Sequence, residues 1–129
     1  MHTERVFSGV VWEKQVGYCR AIKKGNYIAI SGTTAIDDEG GIFAPGDAYA
    51  QTKRCFALIE KALKQMNASL SDIVRTRMFV TDVKQANEYG RAHMEFFKDY
   101  PPATSMIGID SLILPELLIE IEADAILSS

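Results

Sequence analysis

Near the end of the chain Glu120, Glu122 and Asp124 alternate with Ile119, Ile121, Ala123 and Ala125, and a period of two sets the three acids on one face of a strand. A carboxylate held there, partly out of water, has its pKa raised and can take a proton from water as a general base. Glu120 is the candidate for that work. The competing reading is a row of paired carboxylates, and it is the better one for Glu122 and Asp124. Suitable cations exist: Arg75 and Arg77 share a face with Ile73 and Phe79, opposite Val74, Thr76, Met78 and Val80. A cross-strand ion pair between Arg77 and Glu120 or Glu122 would join two strands and do no chemistry. Arg75 reads as structural.

His93 lies four residues after Tyr89 and three before Phe96, so it belongs to a helix and could shuttle a proton. An imidazole packed among aromatic rings with one nitrogen satisfied is the simpler reading. His2 is expected in a mobile tail. Two distant histidines and two cysteines on different elements, Cys19 and Cys55, form no zinc signature. Cys19 stands between Tyr18 and Arg20, where a thiolate can be reactive, although a small side chain packed in a strand explains it as well. Trp12 is expected to anchor the N-terminal segment or, if a cleft lies near, to wall the pocket.

These groups need elements to position them. Residues 16–23 and 26–31 are β-prone and separated by Lys24-Gly25, which predicts a hairpin. Thr33 to Gly46 reads as a loop with a tight turn at Glu39-Gly40-Gly41, where Thr33 and Thr34 bond to the loop backbone or to a ligand. From Asp47, a predicted N-cap, Cys55, Leu58, Ile59, Ala62, Leu63 and Met66 recur at helical spacing. Residues 73–81 then alternate as a strand. Asp82 and Gln85 give a capping-box-like start to a second helix through Ala86, Tyr89, His93, Phe96 and Phe97, which Pro101-Pro102 stops. Two strands, 104–109 and 117–127, close the chain across a loop holding Pro115. The order predicts an α+β fold, a mixed sheet with two helices on one face. The other face would then expose Phe79 beside the charged groups, and a second copy of the chain is the economical cover.

Composition narrows the function. The chain has 129 residues, 47% of them hydrophobic, and is expected to be a single domain over residues 1–129. Seventeen acidic against fourteen basic residues give a net charge of -3, with no basic stripe to track phosphates, so nucleic acid is not an expected partner. No apolar run is long enough for a bilayer, and the N-terminus lacks a signal-peptide pattern, which predicts no membrane partner and a cytoplasmic, reducing setting with free thiols.

Val16-Gly17-Tyr18, Ile30-Ser31-Gly32, Phe79-Val80-Thr81-Asp82-Val83, Phe96-Phe97, Pro102-Ala103 and Leu114-Pro115 through Ala123 occur in an order and spacing that resemble the Rid family (RidA, also called YjgF). The resemblance implies a chorismate-mutase-like fold, a homotrimer whose sheets form a central barrel, and three clefts between subunits. It also implies hydrolysis of reactive enamines or imines to 2-keto acids and ammonia without a cofactor. By position, Tyr18 matches the aromatic hydroxyl of the cleft, Ser31 and Gly32 its Ser-Gly pair, and Glu120 the carboxylate that places water. Thr104 stands where an arginine holds the substrate carboxylate, Met106 where a cysteine is common, and Gly90 where an asparagine is frequent. Arg77 is the expected substitute cation. Three readings follow: a deaminase-type hydrolase with altered substrate choice, a non-catalytic trimer that binds a metabolite or a protein, and an endoribonuclease or translation inhibitor. The acidic charge and the lack of an acid–base histidine pair weigh against the third.

Overall fold

The computed structural model describes residues 2–128. Six strands form one sheet: β1 (Thr3–Val6), β2 (Ala21–Lys24), β3 (Tyr27–Thr34), β4 (Ile73–Val80), β5 (Ala103–Gly108) and β6 (Ile119–Ile126). Their order is β1-β2-β3-β6-β4-β5, antiparallel throughout except for the β4–β5 pair. Helices α1 (Ala48–Lys64) and α2 (Ala86–Phe97) cover one face of the sheet. The α+β architecture with both helices on one side is as the patterning implied.

α1 starts where Asp47 accepts the Ala50 N–H at 2.9 Å, and it buries Cys55, Phe56, Ile59, Ala62 and Leu63. Packing of that stripe, rather than intrinsic propensity, stabilises the helix. α2 is preceded by a short turn, Val83–Gln85, in which the Gln85 side chain donates to Asp82 at 3.1 Å. It buries Tyr89, Ala92 and Phe97. Opposite them β6 contributes Ile119, Ile121, Ala123 and Ala125, all fully buried, while Glu120, Glu122 and Asp124 turn to the other face.

Several expectations need correction. A strand over residues 16–23 is not formed: Glu13–Gly17 makes one wide helical turn, Gly17 leaves it at φ +89°, and β2 begins only at Ala21. The N-terminus is not a free tail, because β1 pairs with β2 from Thr3↔Lys24 and Gly25 donates to the His2 carbonyl at 3.0 Å. β3 runs through Thr33 and Thr34, so the loop begins two residues later than the composition implies. On β4 the alternation breaks, so that Ile73 is buried and Val74 exposed. Between the Ile73↔Ala125 and Arg75↔Asp124 pairs Val74 is an extra residue, a bulge that reverses the faces before Arg75.

The uncovered face carries Tyr27, Phe79, Ile107 and Ile126 among Arg75, Arg77 and the three carboxylates, with Ile107 exposed to 41% and Ile126 to 48%. Among the described residues no helix is long and apolar enough to cross a membrane.

Candidate functional site

A second bulge builds the site. Between Ile30↔Ala123 and Thr33↔Ile121, β3 spends two residues, Ser31 and Gly32, against the single Glu122 of β6. The Ser31 hydroxyl donates to the Cys19 carbonyl at 2.7 Å and its N–H to the Arg20 carbonyl at 3.0 Å, which pins the Tyr18–Arg20 segment beside the bulge. Gly32 then leaves room for Glu120: a Cβ added there would lie 2.0 Å from Glu120 Oε2, so the carboxylate rests directly on the glycine backbone. Across the ladder Glu120 faces Thr34 on one side and Phe79 on the other. Burial pushes the Glu120 carboxyl up, the neighbouring Glu122 adds to that, and Arg20 opposes it. A carboxyl so placed is suited to exchange a proton with water.

Arg20 is a charged neighbour of this carboxylate whose place the sequence does not show. Its Nη2 donates to the Gly32 carbonyl, and its Nε is buried with no partner among the described residues. Burial pulls the guanidinium pKa down, while Tyr18, Glu13 and Glu120 pull it up. A basic residue one step before an apolar strand was the available signal, and only the Gly32 contact gives it meaning.

An open cleft of about 940 Å³ leads to Ser31 and is walled by Phe7, Val11, Tyr18, Cys19 and Ile22. That volume is within the range of small-molecule sites. The buried Glu13 carboxylate shapes its rim by accepting both Ser8 N–H contacts at 3.0 and 3.1 Å, the Ser8 hydroxyl at 2.6 Å and the Gly9 N–H at 3.1 Å.

Tyr18, Ser31, Gly32 and Glu120 therefore gather within one chain, whereas Arg77 and Thr104 do not join them. Arg77 lies on the same sheet face, but its Nη1 is 3.2 Å from Asp124 and 3.7 Å from Glu122. Of the two readings of Arg77, the cross-strand ion pair is the one formed, with Glu122 and with Asp124 in place of Glu120, and Tyr27 completes the cluster by donating to Asp124 at 3.1 Å. Thr104 is in register with Thr76, which pairs with Ala123, so its side chain is on the helix side of the sheet while Glu120 is on the other. There Thr76 donates to Thr104 at 2.6 Å and meets His93 Nε2 at 2.8 Å. The imidazole packs against Phe97 and Phe56, with centroids 4.7 and 5.5 Å away. Cys55 is buried in the core and Cys19 half-buried at the cleft.

A family model described as Endoribonuclease L-PSP matches residues 12–127. The chain belongs to the Rid (YjgF) family. A solved Rid-family structure, Rv2704 of Mycobacterium tuberculosis, described as a member of the YjgF/YER057c/UK114 family, superposes with a TM-score of 0.89 at 41% identity, covering 98% of this chain and all of that one. An uncharacterized protein of Streptomyces coelicolor is 31% identical over 121 residues, 94% of this chain and 90% of its own. The 3-aminoacrylate deaminase RutC of Acinetobacter baylyi is 29% identical over 108 residues, 84% of this chain and 85% of its own. In this Rid protein the Ser31-Gly32 bulge holds the Glu120 carboxylate against the glycine backbone.

Proposed function

We propose that this Rid protein is a cofactor-free hydrolase of reactive enamine or imine intermediates, working in clefts between the subunits of a homotrimer. The observation that carries the reading is the half-buried Glu120 carboxylate, seated on Gly32, the residue that follows Ser31 of the cleft wall. Glu120 takes a proton from a water that attacks the imine carbon. The same proton then goes to the nitrogen, giving a neutral carbinolamine; the carboxylate next carries the carbinolamine hydroxyl proton to that nitrogen as the carbon–nitrogen bond breaks, and ammonia and a carbonyl product leave. Tyr18 and Ser31 hold the ligand. The trimer is supported by the uncovered sheet face, where Tyr27, Phe79, Ile107 and Ile126 await burial. It also offers a way for Thr104 of one copy to meet Glu120 of another, since one sheet separates them within a chain. The name of the RutC relative supports the reaction class.

The purified protein, mixed with imines made in situ by a flavin amino-acid oxidase or, without the α-carboxylate, by a flavin amine oxidase, is expected to accelerate ammonia release. Glu120→Gln is expected to lower the rate by about 10²–10⁴, the usual contribution of a general base. No acceleration with acidic, neutral or basic imines would sink the hydrolase. Sedimentation at the mass of a monomer would remove the trimer. A non-catalytic binding role is the second reading, favoured by the engagement of Arg77 with Asp124 and Glu122.

A further inference from the structure

We propose that His93, Thr76 and Thr104 form a hydrogen-bond donor relay, ending in a hydroxyl at the edge strand β5, that receives an uncharged acceptor of the ligand, a carbonyl oxygen or an imine nitrogen. The inference rests on the reading of the site given above and names the class of substrate: one that bears no carboxylate at this position.

Thr76 is the first observation. It is fully buried on the helix side of β4, where valine would pack with the same shape and no polar group to satisfy. Its hydroxyl has one proton, directed at Thr104 across 2.6 Å. The 2.8 Å contact to His93 must then run the other way, with Nε2–H donating into the Thr76 oxygen. Every donor in the chain points outward. Thr104 is the last member and is exposed, so its own proton is free for a ligand. Donation into its oxygen polarises that O–H and makes it a better donor than an isolated threonine.

The second observation is the lack of charge. The ring sits among Phe56 and Phe97, and burial alone lowers the His93 pKa, with no acidic or basic neighbour contributing. The relay therefore ends in a neutral donor. Arg77 supplies no charge there either, being on the opposite face and engaged by Asp124 and Glu122. A carboxylate there would accept one hydrogen bond but find no countercharge to offset its loss of water, whereas a carbonyl or neutral imine loses far less hydration and is matched by one donor.

The test uses the full chain, with pyruvamide and pyruvate as probes, read by calorimetry and by NMR of 15N-labelled histidine. The free protein should show His93 in its Nε2–H form. Pyruvamide should bind about tenfold more tightly than pyruvate and shift the His93 ring signals. Thr104→Val should weaken pyruvamide binding by about tenfold and abolish the shift, while Thr104→Ser keeps both. A ring in the Nδ1–H form, equal binding of pyruvate, unchanged binding in Thr104→Val, or no binding of either probe would overturn the relay. The hydrolase is judged separately by Glu120→Gln: the relay results can hold without any turnover, and turnover can hold with the relay overturned.

Discussion

Replacing Gly32 by alanine sets a methyl group where the Glu120 carboxylate now rests. The added carbon would lie 2.0 Å from Oε2, 2.9 Å from Cδ and 3.2 Å from Cγ of Glu120. A carbon–oxygen contact relaxes at about 3.3 Å, so the oxygen must retreat by roughly 1.3 Å. Gly32 does not have a positive φ, so alanine adds no backbone strain of its own. What moves is the end of a flexible side chain, at a rotamer cost of about 1 kcal/mol, or a few degrees in Tm. The same displacement matters far more to chemistry, because a misplacement of about 1 Å can cost roughly 10²-fold in rate. Imine hydrolysis coupled to an oxidase, with thermal unfolding followed by circular dichroism, measures both effects on one preparation. The expected variant is folded, melts within a few degrees of the parent and has lost about 10²-fold in kcat/KM. Full activity in a folded Gly32→Ala protein would refute the placement of Glu120 as the base. A fall in Tm of more than about 10 °C would show that the carboxylate cannot yield.

Three further outcomes follow from the same geometry. Arg77→Met breaks contacts to Asp124 and Glu122 at the sheet surface; it should cost no more than about 1 kcal/mol by denaturant unfolding and leave imine turnover unchanged. Burial pushes the Glu13 carboxyl up, but the Ser8 and Gly9 donors outweigh it and hold its pKa below the ordinary value of 4.5. Its stabilisation is therefore complete above that pH and lost as pH falls through the lower folded pKa. Tm measured from pH 6 to pH 3 should drop less steeply for Glu13→Gln, which should also be less stable at pH 7 by about 2 kcal/mol. Cys55 is fully buried with its thiol pKa pushed up by burial, whereas Cys19 is partly accessible. Ellman's reagent at pH 8 should react with one thiol in the native protein and two in denaturant, and Cys19→Ser should remove the native reaction.

What could be read in advance was whatever depends on near neighbours in the chain. The faces of β6 follow from strict alternation, which sets Glu120, Glu122 and Asp124 together and away from Ile119 and Ile121. Asp47 as the cap of α1 and the apolar stripe behind it are equally local. Alternation failed where a bulge inserts one residue, at Val74 and at Ser31-Gly32, because a bulge is defined by the partner strand.

Pairing decided the rest. β1 finds β2, and β5 lies parallel to β4, through contacts between segments far apart in sequence, and β5 thereby carries Thr104 to the helix side of the sheet. An acidic partner for Arg77 on β6 is legible from the two alternating strands, but the register that selects Glu122 and Asp124 over Glu120 is not. Arg20 acquired a role only when the bulge brought the Gly32 carbonyl and Glu120 to it. The sequence by itself determined which side chains share a strand face or a helix stripe, since those periods are properties of a single segment. Which groups meet across segments, Glu120 on Gly32 and His93 through Thr76 to Thr104, was decided by the tertiary structure, because hydrogen bonds and close contacts act over a few ångströms between elements that only folding brings together.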